Sequence, residues 1–233
     1  GIELYESTGY RANPETKKWL YSDPDYQTWV TGDMLTCVIG QSDNRFTPLQ
    51  LCVYTSAIAN RGVRHKATFM NRVVSADYTT LLAENTPQVV DRLEMTTTTY
   101  TTVKKGMWQV ANESGGTAYS VFRNFPITIG AKTGTAEQFW GESDNGAFVC
   151  YAPYEEPRIA IAVYGEQAGH GSSMANIAKD ILNAWFFNAD TAGDVAVHRP
   201  QHGIKEPVGV HNISEGTFGR LFLAAYSADI IFI

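Results

Sequence analysis

The 233-residue sequence contains no Ser-x-x-Lys motif, few charged residues and no long hydrophobic run. No stretch approaches the roughly 18 consecutive apolar residues of a membrane-spanning helix, and the N-terminus lacks the basic-then-apolar pattern of a signal peptide. Any membrane anchor or export signal is therefore expected outside this chain. The three cysteines, Cys37, Cys52 and Cys150, have an odd count and no metal-ligand spacing. They are predicted to be small buried hydrophobic residues.

Positive charge is also scarce. Lys and Arg total 18 against 24 Asp and Glu, which gives a formal net charge of -6, with no basic block. This argues against a nucleic-acid partner, whose phosphates call for a basic face. The five histidines are dispersed and show no metal-ligand spacing, so no metal site is predicted. A hydrophobic content of 44% favours a folded globule, with one domain expected at residues 1–187 and a tail at residues 188–233.

Capping signals and apolar periodicity predict three helices. Thr47 can cap a helix in which Pro48 takes the first position and Gln50 completes a capping box, with an end near Asn60 and Gly62. Apolar residues at helical spacing predict a second helix over Thr98–Asn112 and a third capped by Ser172 or Ser173. The stripe of the third helix consists of Met174, Ile177, Ala178, Ile181, Leu182 and Trp185.

Strand-like segments separated by turn residues lie between the second and third helices. They are Ile127–Gln138, Ala147–Tyr151 and Arg158–Tyr164, close enough for antiparallel hairpins. Phe69–Val74 is a further predicted strand, and residues 1–30 are predicted to be irregular. The fold class is therefore α+β, with an antiparallel sheet flanked by helices. The tail ends in an apolar piece, Leu221–Ile233, and is a covering segment, a disordered extension or sequence unrelated to the domain.

The segment Lys132-Thr133-Gly134-Thr135 carries the most specific chemistry. A Lys-Thr-Gly strand is one of three boxes in active-serine penicillin-recognising enzymes. Lys132 supplies a positive charge for a carboxylate, and Thr133 and Thr135 offer hydroxyls on one strand face. Gly134 is expected to leave the opposite face free, so that another element can pack closely there. The alternative is a solvated lysine among threonines that simply favour strands.

Ordered segments along residues 1–187 resemble the class B penicillin-binding proteins, which are peptidoglycan D,D-transpeptidases. The matching stretches are Gly1-Ile2-Glu3-Leu4, Thr47-Pro48-Leu49-Gln50-Leu51, Gly130–Ala136, Phe148–Pro153 and Pro157–Ala160. The resemblance implies a penicillin-binding/β-lactamase-like transpeptidase fold that is incomplete at its N-terminal side. It also implies cross-linking of D-Ala-D-Ala stem peptides through an acyl-serine intermediate, a reaction that needs no cofactor, and binding of β-lactams.

The resemblance further implies roles for individual residues. Lys132 and Thr135 would be catalytic, with the Thr135 N–H as an oxyanion donor, and Thr133, Gly134 and Thr135 would bind substrate. It places the protein at the extracytoplasmic face of the cell membrane, held there by a segment absent from this chain. A glycosyltransferase of the cell-wall synthesis complex is the further partner that it implies.

Two other boxes of such a site are missing or misplaced. Ser42-Asp43-Asn44 and Ser143-Asp144-Asn145 spell the second box, but the first is predicted to be an ordinary turn and the second a hairpin tip. Without a Ser-x-x-Lys nucleophile, the chain is expected to be the C-terminal part of a transpeptidase domain and inactive alone. A serine β-lactamase and a non-catalytic β-lactam sensor or scaffold remain alternatives.

Overall fold

The computed structural model describes residues 2–137, 141–187, 220–227 and 231–232. The helices within these residues are α1 (Pro14–Leu20), α2 (Pro24–Gln27), α3 (Thr31–Val38), α4 (Pro48–Ala59), α5 (Thr97–Asn112), α6 (Tyr119–Phe122) and α7 (Met174–Phe187). The strands are β1 (Val63–His65), β2 (Arg72–Val74), β3 (Leu81–Glu84), β4 (Val89–Arg92), β5 (Gly130–Ala136), β6 (Asn145–Ala152), β7 (Ile159–Glu166), β8 (Arg220–Ser227) and β9 (Ile231–Phe232).

The main sheet has five strands in the order β5-β6-β7-β8-β9, and every neighbouring pair is antiparallel. Lys132 lies opposite Val149, which lies opposite Ala162. The predicted hairpins and the α+β class are confirmed, because the three strands predicted between the helices are β5, β6 and β7. The short strands form two separate pairs, β1 with β4 and β2 with β3.

Helices cover both faces of the sheet. Phe148 and Cys150 of β6 point to the face covered by α7, whereas Val149 and Tyr151 point to the face covered by α4. This alternation is the two-residue period of a strand that is buried on both sides. Helix α5 packs against β5. Strand β5 therefore lies at one edge of the sheet, and helices α4 and α7 pack on the two faces of the interior strands.

Local chemistry explains where α4 begins and ends. Gln50 N donates to Thr47 Oγ1 over 3.2 Å, and Thr47 N donates to Gln50 Oε1 over 3.0 Å. This is the predicted capping box, with Pro48 at the first helical position. Gly62, just past the end of the helix, has a φ of +83°, which a glycine adopts readily. The predicted helix at Thr98–Asn112 is also confirmed, as α5.

Two predictions for the N-terminal third were wrong. Residues 1–30 are not irregular throughout, because α1 and α2 begin at Pro14 and Pro24. Asn13 and Asp23 cap them, and a proline is favourable at the first helical position, where its missing N–H costs nothing. The strand predicted at residues 69–74 is shorter and is β2 alone.

The tail contributes two strands to the sheet. β8 pairs with β7 along its whole length, and β9 pairs with β8. The rest of the tail lies outside the described residues, and the boundary at residues 187 and 188 stays a prediction.

Candidate functional site

Strand β5 carries the Lys-Thr-Gly segment at the edge of the sheet, and β6 is its one strand neighbour in the described part of the chain. Side chains hydrogen-bond to its outward carbonyl groups: Lys132 Nζ donates to Thr133 O over 2.5 Å, and Gln41 Nε2 reaches Thr135 O over 3.5 Å. A residue in an antiparallel ladder directs its N–H and C=O to the same side. The Thr135 N–H therefore points to the free edge.

The side chains of β5 divide between the two faces of the sheet. The Thr133 hydroxyl hydrogen-bonds the Thr117 hydroxyl over 2.9 Å, and Thr135 Oγ1 accepts from Gly171 N over 3.3 Å. Both threonines thus lie on the face of the short 3-10 helix that precedes α7. Lys132 is exposed on the opposite face, and its side chain bends towards the free edge of β5, where the ammonium donates to Thr133 O. The structure therefore brings Lys132, Thr133 and Thr135 to one edge.

The expected role of Gly134 is wrong in one respect. A Cβ at Gly134 would meet the Ala147 side chain at 3.4 Å and Ala147 O at 3.9 Å, both on the neighbouring strand β6, so in the described residues no other element packs closely on that side. The close packing occurs on the other face, at Gly171. A Cβ there would lie 2.0 Å from Gly134 O and 2.5 Å from Ala147 O, which is an overlap with backbone. Gly171 is the glycine that lets the two elements approach.

Contacts at the beginning of β5 hold the strand in place, and the sequence did not reveal them. Asn112 at the end of α5 donates through Nδ2 to Ile129 O over 2.8 Å. The Tyr151 ring occupies the space beside Gly130, where a Cβ would lie 2.4 Å from the ring. The buried Tyr151 hydroxyl has no hydrogen-bond partner among the described residues, and burial raises its pKa. The only sequence signal was Gly130, the first residue of β5.

The first Ser-Asp-Asn segment is a structural turn, as predicted. Asp43 is buried and accepts from the Tyr21 hydroxyl over 3.0 Å, a hydrogen bond that raises the pKa of Tyr21. The Asn44 side chain accepts from Ala12 N over 2.9 Å. Ser42 has a φ of +62°, a value typical of tight turns. The segment therefore ties the N-terminal residues to the turn before α4.

Of the second Ser-Asp-Asn segment, Ser143 and Asp144 are the last two residues of the connection between β5 and β6. Asn145 begins β6, and its Oδ1 accepts from Gln167 N over 2.9 Å.

A cavity of about 890 Å³ opens between residues 6–11 and α4. Glu6, Arg11, Tyr54, Arg64 and His65 are among its lining residues, and no residue of β5 is. The cavity is therefore separate from the Lys-Thr-Gly edge. Within the described ranges, no group of three His, Cys, Asp or Glu side chains could hold a metal ion.

The sequence matches a family model along most of its length. Residues 5–183 match the model of the penicillin-binding protein transpeptidase domain. The peptidoglycan D,D-transpeptidase MrdA of Haemophilus influenzae is 30% identical over 207 residues, which cover 78% of this chain and 30% of that protein. Penicillin-binding protein 2B of Streptococcus pneumoniae is 31% identical over 200 residues, 78% of this chain and 28% of that protein. The chain thus spans under a third of the length of these two curated relatives.

Solved structures agree with the fold. Penicillin-binding protein PBP2 of Pseudomonas aeruginosa, in complex with WCK 5153, superposes with a TM-score of 0.63 and 28% identity, covering 77% of this chain and 37% of that one. PBP2 of Helicobacter pylori, in complex with MreC, superposes with a TM-score of 0.62 and 25% identity, covering 79% and 32%. With the family match and the Lys-Thr-Gly edge strand, these similarities show that the chain belongs to the penicillin-binding protein transpeptidase domain family.

Proposed function

We propose that this chain supplies one wall of the substrate site of a peptidoglycan D,D-transpeptidase. The observation that carries the proposal is the geometry of β5, an edge strand with the Lys132 ammonium and the Thr135 N–H both at its free side. An edge strand offers rigid donors to a ligand without breaking the ladder behind it. Relatives named as D,D-transpeptidases support the same reaction class.

Each group of the strand has a task that its chemistry can perform. The Lys132 ammonium binds the terminal carboxylate of a D-Ala-D-Ala stem through a charge-assisted hydrogen bond. The hydroxyls of Thr133 and Thr135 add two further donors, and Gly134 between them adds no bulk. The Thr135 N–H donates to the carbonyl oxygen of the penultimate D-Ala as it becomes an oxyanion, a contact typically worth about 3 kcal/mol of barrier.

The proposed reaction uses a serine from outside these residues. Its hydroxyl oxygen attacks the penultimate D-Ala carbonyl, the peptide bond breaks, and the terminal D-Ala leaves as a protonated amine. An amine of a neighbouring stem then attacks the acyl-serine and restores the hydroxyl. A β-lactam acylates the same serine, but its leaving amine stays tethered. Because this chain has no Ser-x-x-Lys, we expect it to form no β-lactam adduct alone.

We place the reaction at the extracytoplasmic face of the cell membrane, where peptidoglycan lies. None of the helices in the described ranges is long and apolar enough to cross a membrane, so the proposed anchor is a segment outside this chain. The H. pylori relative was solved as a complex with MreC. By analogy, the proposed partners here are other proteins of cell-wall synthesis, including a glycosyltransferase.

A chimera tests the proposal. Residues 5–183 of this chain would replace the matched part of the H. influenzae MrdA protein, which supplies the remainder of the domain. We expect the purified, folded chimera to be labelled by a fluorescent penicillin and to release D-Ala from a pentapeptide stem when an acceptor amine is present. The isolated chain is the control and should remain unlabelled.

The same assay separates the alternatives. Rapid turnover of nitrocefin by the chimera would indicate a β-lactamase, because deacylation by water would then be fast. Stable labelling with no peptide product would indicate a sensor or scaffold. A folded chimera that is not labelled at all would refute the proposal.

A further inference from the structure

A third threonine hydroxyl lies beside the Lys-Thr-Gly strand. Thr117, in the turn between α5 and α6, forms a hydrogen bond of 2.9 Å between its hydroxyl and the Thr133 hydroxyl. Thr117 is exposed and Thr133 is half-buried, so the pair lies at the protein surface and not in the core. The two residues are 16 positions apart, and the Lys-Thr-Gly motif alone gives no indication of the contact.

The chain on either side of Thr117 is fixed to the last turns of α5. A Cβ at Gly116 would overlap the carbonyl oxygens of Gln109 and Val110, so only a glycine lets the turn pass this close to the helix. Ala118 is fully buried, and its N–H donates to Val110 O over 2.9 Å. Thr117 is therefore exposed at its side chain but anchored through the residues before and after it.

Helix α5 is in turn tied to the strand that carries Thr133. The helix packs against β5, and Asn112 Nδ2 at its end donates to the carbonyl oxygen of Ile129, the residue before the strand. The turn that holds Thr117 and the strand that holds Thr133 are thus both fixed to the same helix. Their hydroxyl contact is set by the packing of these elements, unlike a chance meeting of two mobile surface side chains.

The proton inventory of the pair gives the contact a direction when an anion binds. A hydroxyl has one proton to donate, whereas a carboxylate only accepts. If Thr133 donates to Thr117, it has no proton left for a ligand. A carboxylate bound by Thr133 therefore requires Thr117 to be the donor of the pair. Donation into the Thr133 oxygen polarises its O–H bond and strengthens the charge-assisted hydrogen bond to the carboxylate.

We propose that Thr117 is a positioning residue for the terminal carboxylate of the D-Ala-D-Ala stem, and that it acts through Thr133. This role rests on the proposed function, because only that function places a carboxylate at Thr133. Thr117 does not touch the ligand itself. It holds the Thr133 hydroxyl in one rotamer and leaves the proton of that hydroxyl free for the carboxylate, so ligands with a negative charge there benefit most.

The chimera with MrdA tests this role with two ligands, benzylpenicillin and its methyl ester, in which the carboxylate is blocked. Thr117→Val removes the hydroxyl and keeps the shape of the side chain. It should lower the second-order rate of acylation by benzylpenicillin about 3- to 10-fold, and the rate with the ester by less than about twofold. Thr117→Ser should stay within about twofold of the parent with both ligands. An equal loss with both ligands, or no loss with benzylpenicillin, would overturn this role.

A double-mutant cycle shows whether Thr117 acts through Thr133. In the Thr133→Val background the acceptor is gone, so Thr117→Val should cause no further loss with benzylpenicillin. Fully additive losses would contradict the coupling. Thr102→Val is the matched control, because Thr102 is an exposed threonine in the first half of α5. Its acylation rates should stay within about twofold of the parent, and a loss as large as that of Thr117→Val would also overturn this role.

A measurement without a ligand separates this role from the proposed function. In the isolated chain, three-bond couplings to the Thr133 methyl carbon report the rotamer populations of its side chain. They should indicate one rotamer in the unmodified chain and in Thr117→Ser, and averaging between rotamers in Thr117→Val. If the parent chimera is not labelled by a penicillin, the proposed function fails and these couplings alone decide. Unchanged rotamer populations in Thr117→Val would overturn the role of Thr117.

Discussion

The backbone N–H of Gly171 donates to the Thr135 hydroxyl over 3.3 Å. This hydrogen bond joins the 3-10 helix before α7 to the strand that carries the Lys-Thr-Gly segment. The approach is close enough that the strand backbone at Gly134 fills the space a Cβ of residue 171 would need. The position of the candidate site therefore depends on a residue far from it in the sequence.

Gly171→Ala should destabilise the protein because the new Cβ would overlap Gly134 O and Ala147 O, both of which are backbone atoms of paired strands. Overpacking of this kind costs about 1–3 kcal/mol or more. Urea unfolding would measure the loss, and the amide signals of β5 should shift most.

Gly106→Ala is the matched control. Gly106 lies in α5 with no atom within 4 Å of its Cβ position, so the same substitution should stabilise the helix by about 0.5–1 kcal/mol. If Gly106→Ala raises the free energy of unfolding while Gly171→Ala leaves it unchanged, the close packing of Gly171 against Gly134 is contradicted.

Tyr151→Phe should stabilise the protein. The Tyr151 hydroxyl is buried without a hydrogen-bond partner in the described part of the chain, and a buried unsatisfied polar group costs about 1–3 kcal/mol. Tyr154→Phe is the control, because Tyr154 stacks on the same ring at 6.1 Å but is only half-buried. We expect about 1 kcal/mol of gain for the first variant and less than about 0.5 kcal/mol of change for the second. Destabilisation by Tyr151→Phe would mean that the hydroxyl has a partner.

The Glu3 carboxylate should make stability depend on pH in the acid range. Hydrogen bonds from the Thr68 hydroxyl and the Phe69 N–H lower its pKa from 4.5 to about 2. A depressed pKa in the folded state adds stability above the unfolded pKa, and this stability is lost as the pH falls from 4.5 towards 2. The stability difference between the wild type and Glu3→Gln should therefore be present at pH 7 and shrink below pH 4.5, as measured by urea unfolding. A difference that is constant between pH 7 and pH 3 would count against these contacts.

The elements that the sequence predicted well have strong local signals. Thr47, Pro48 and Gln50 define the start of α4 by contacts within one turn, so no knowledge of the fold is needed. The spacing of apolar residues in β6, β7 and α7 is likewise a local signal, because it can be recognised within each segment alone. The antiparallel hairpins followed from short connections, and β5 was recognised from the residues it carries.

The sequence missed two helices because local signals were misread, and the other features that it missed depend on contacts between distant residues. Pro14 and Pro24 were interpreted as loop markers, whereas the caps at Asn13 and Asp23 make them the first residues of helices. The importance of Gly171 could not be predicted, because it arises from packing against a strand about 36 residues away, as the hydrogen bond to Thr135 records. The apolar piece at residues 221–233 was consistent with a covering segment, but it could not specify that the tail pairs with β7.

The rate at which a β-lactam acylates the chimera, compared between Lys132→Met and Lys105→Met, tests the central claim most directly. Lys132 lies on β5, the edge strand that carries the proposed site, whereas Lys105 is an exposed lysine of α5. A charge-assisted hydrogen bond contributes about 1.5–3 kcal/mol, so the second-order acylation rate should fall roughly 10- to 100-fold in Lys132→Met. It should stay within about twofold of the parent in Lys105→Met, because a surface substitution away from the site changes free energies by less than about 0.5 kcal/mol. Equal acylation rates in the two folded variants would contradict the account.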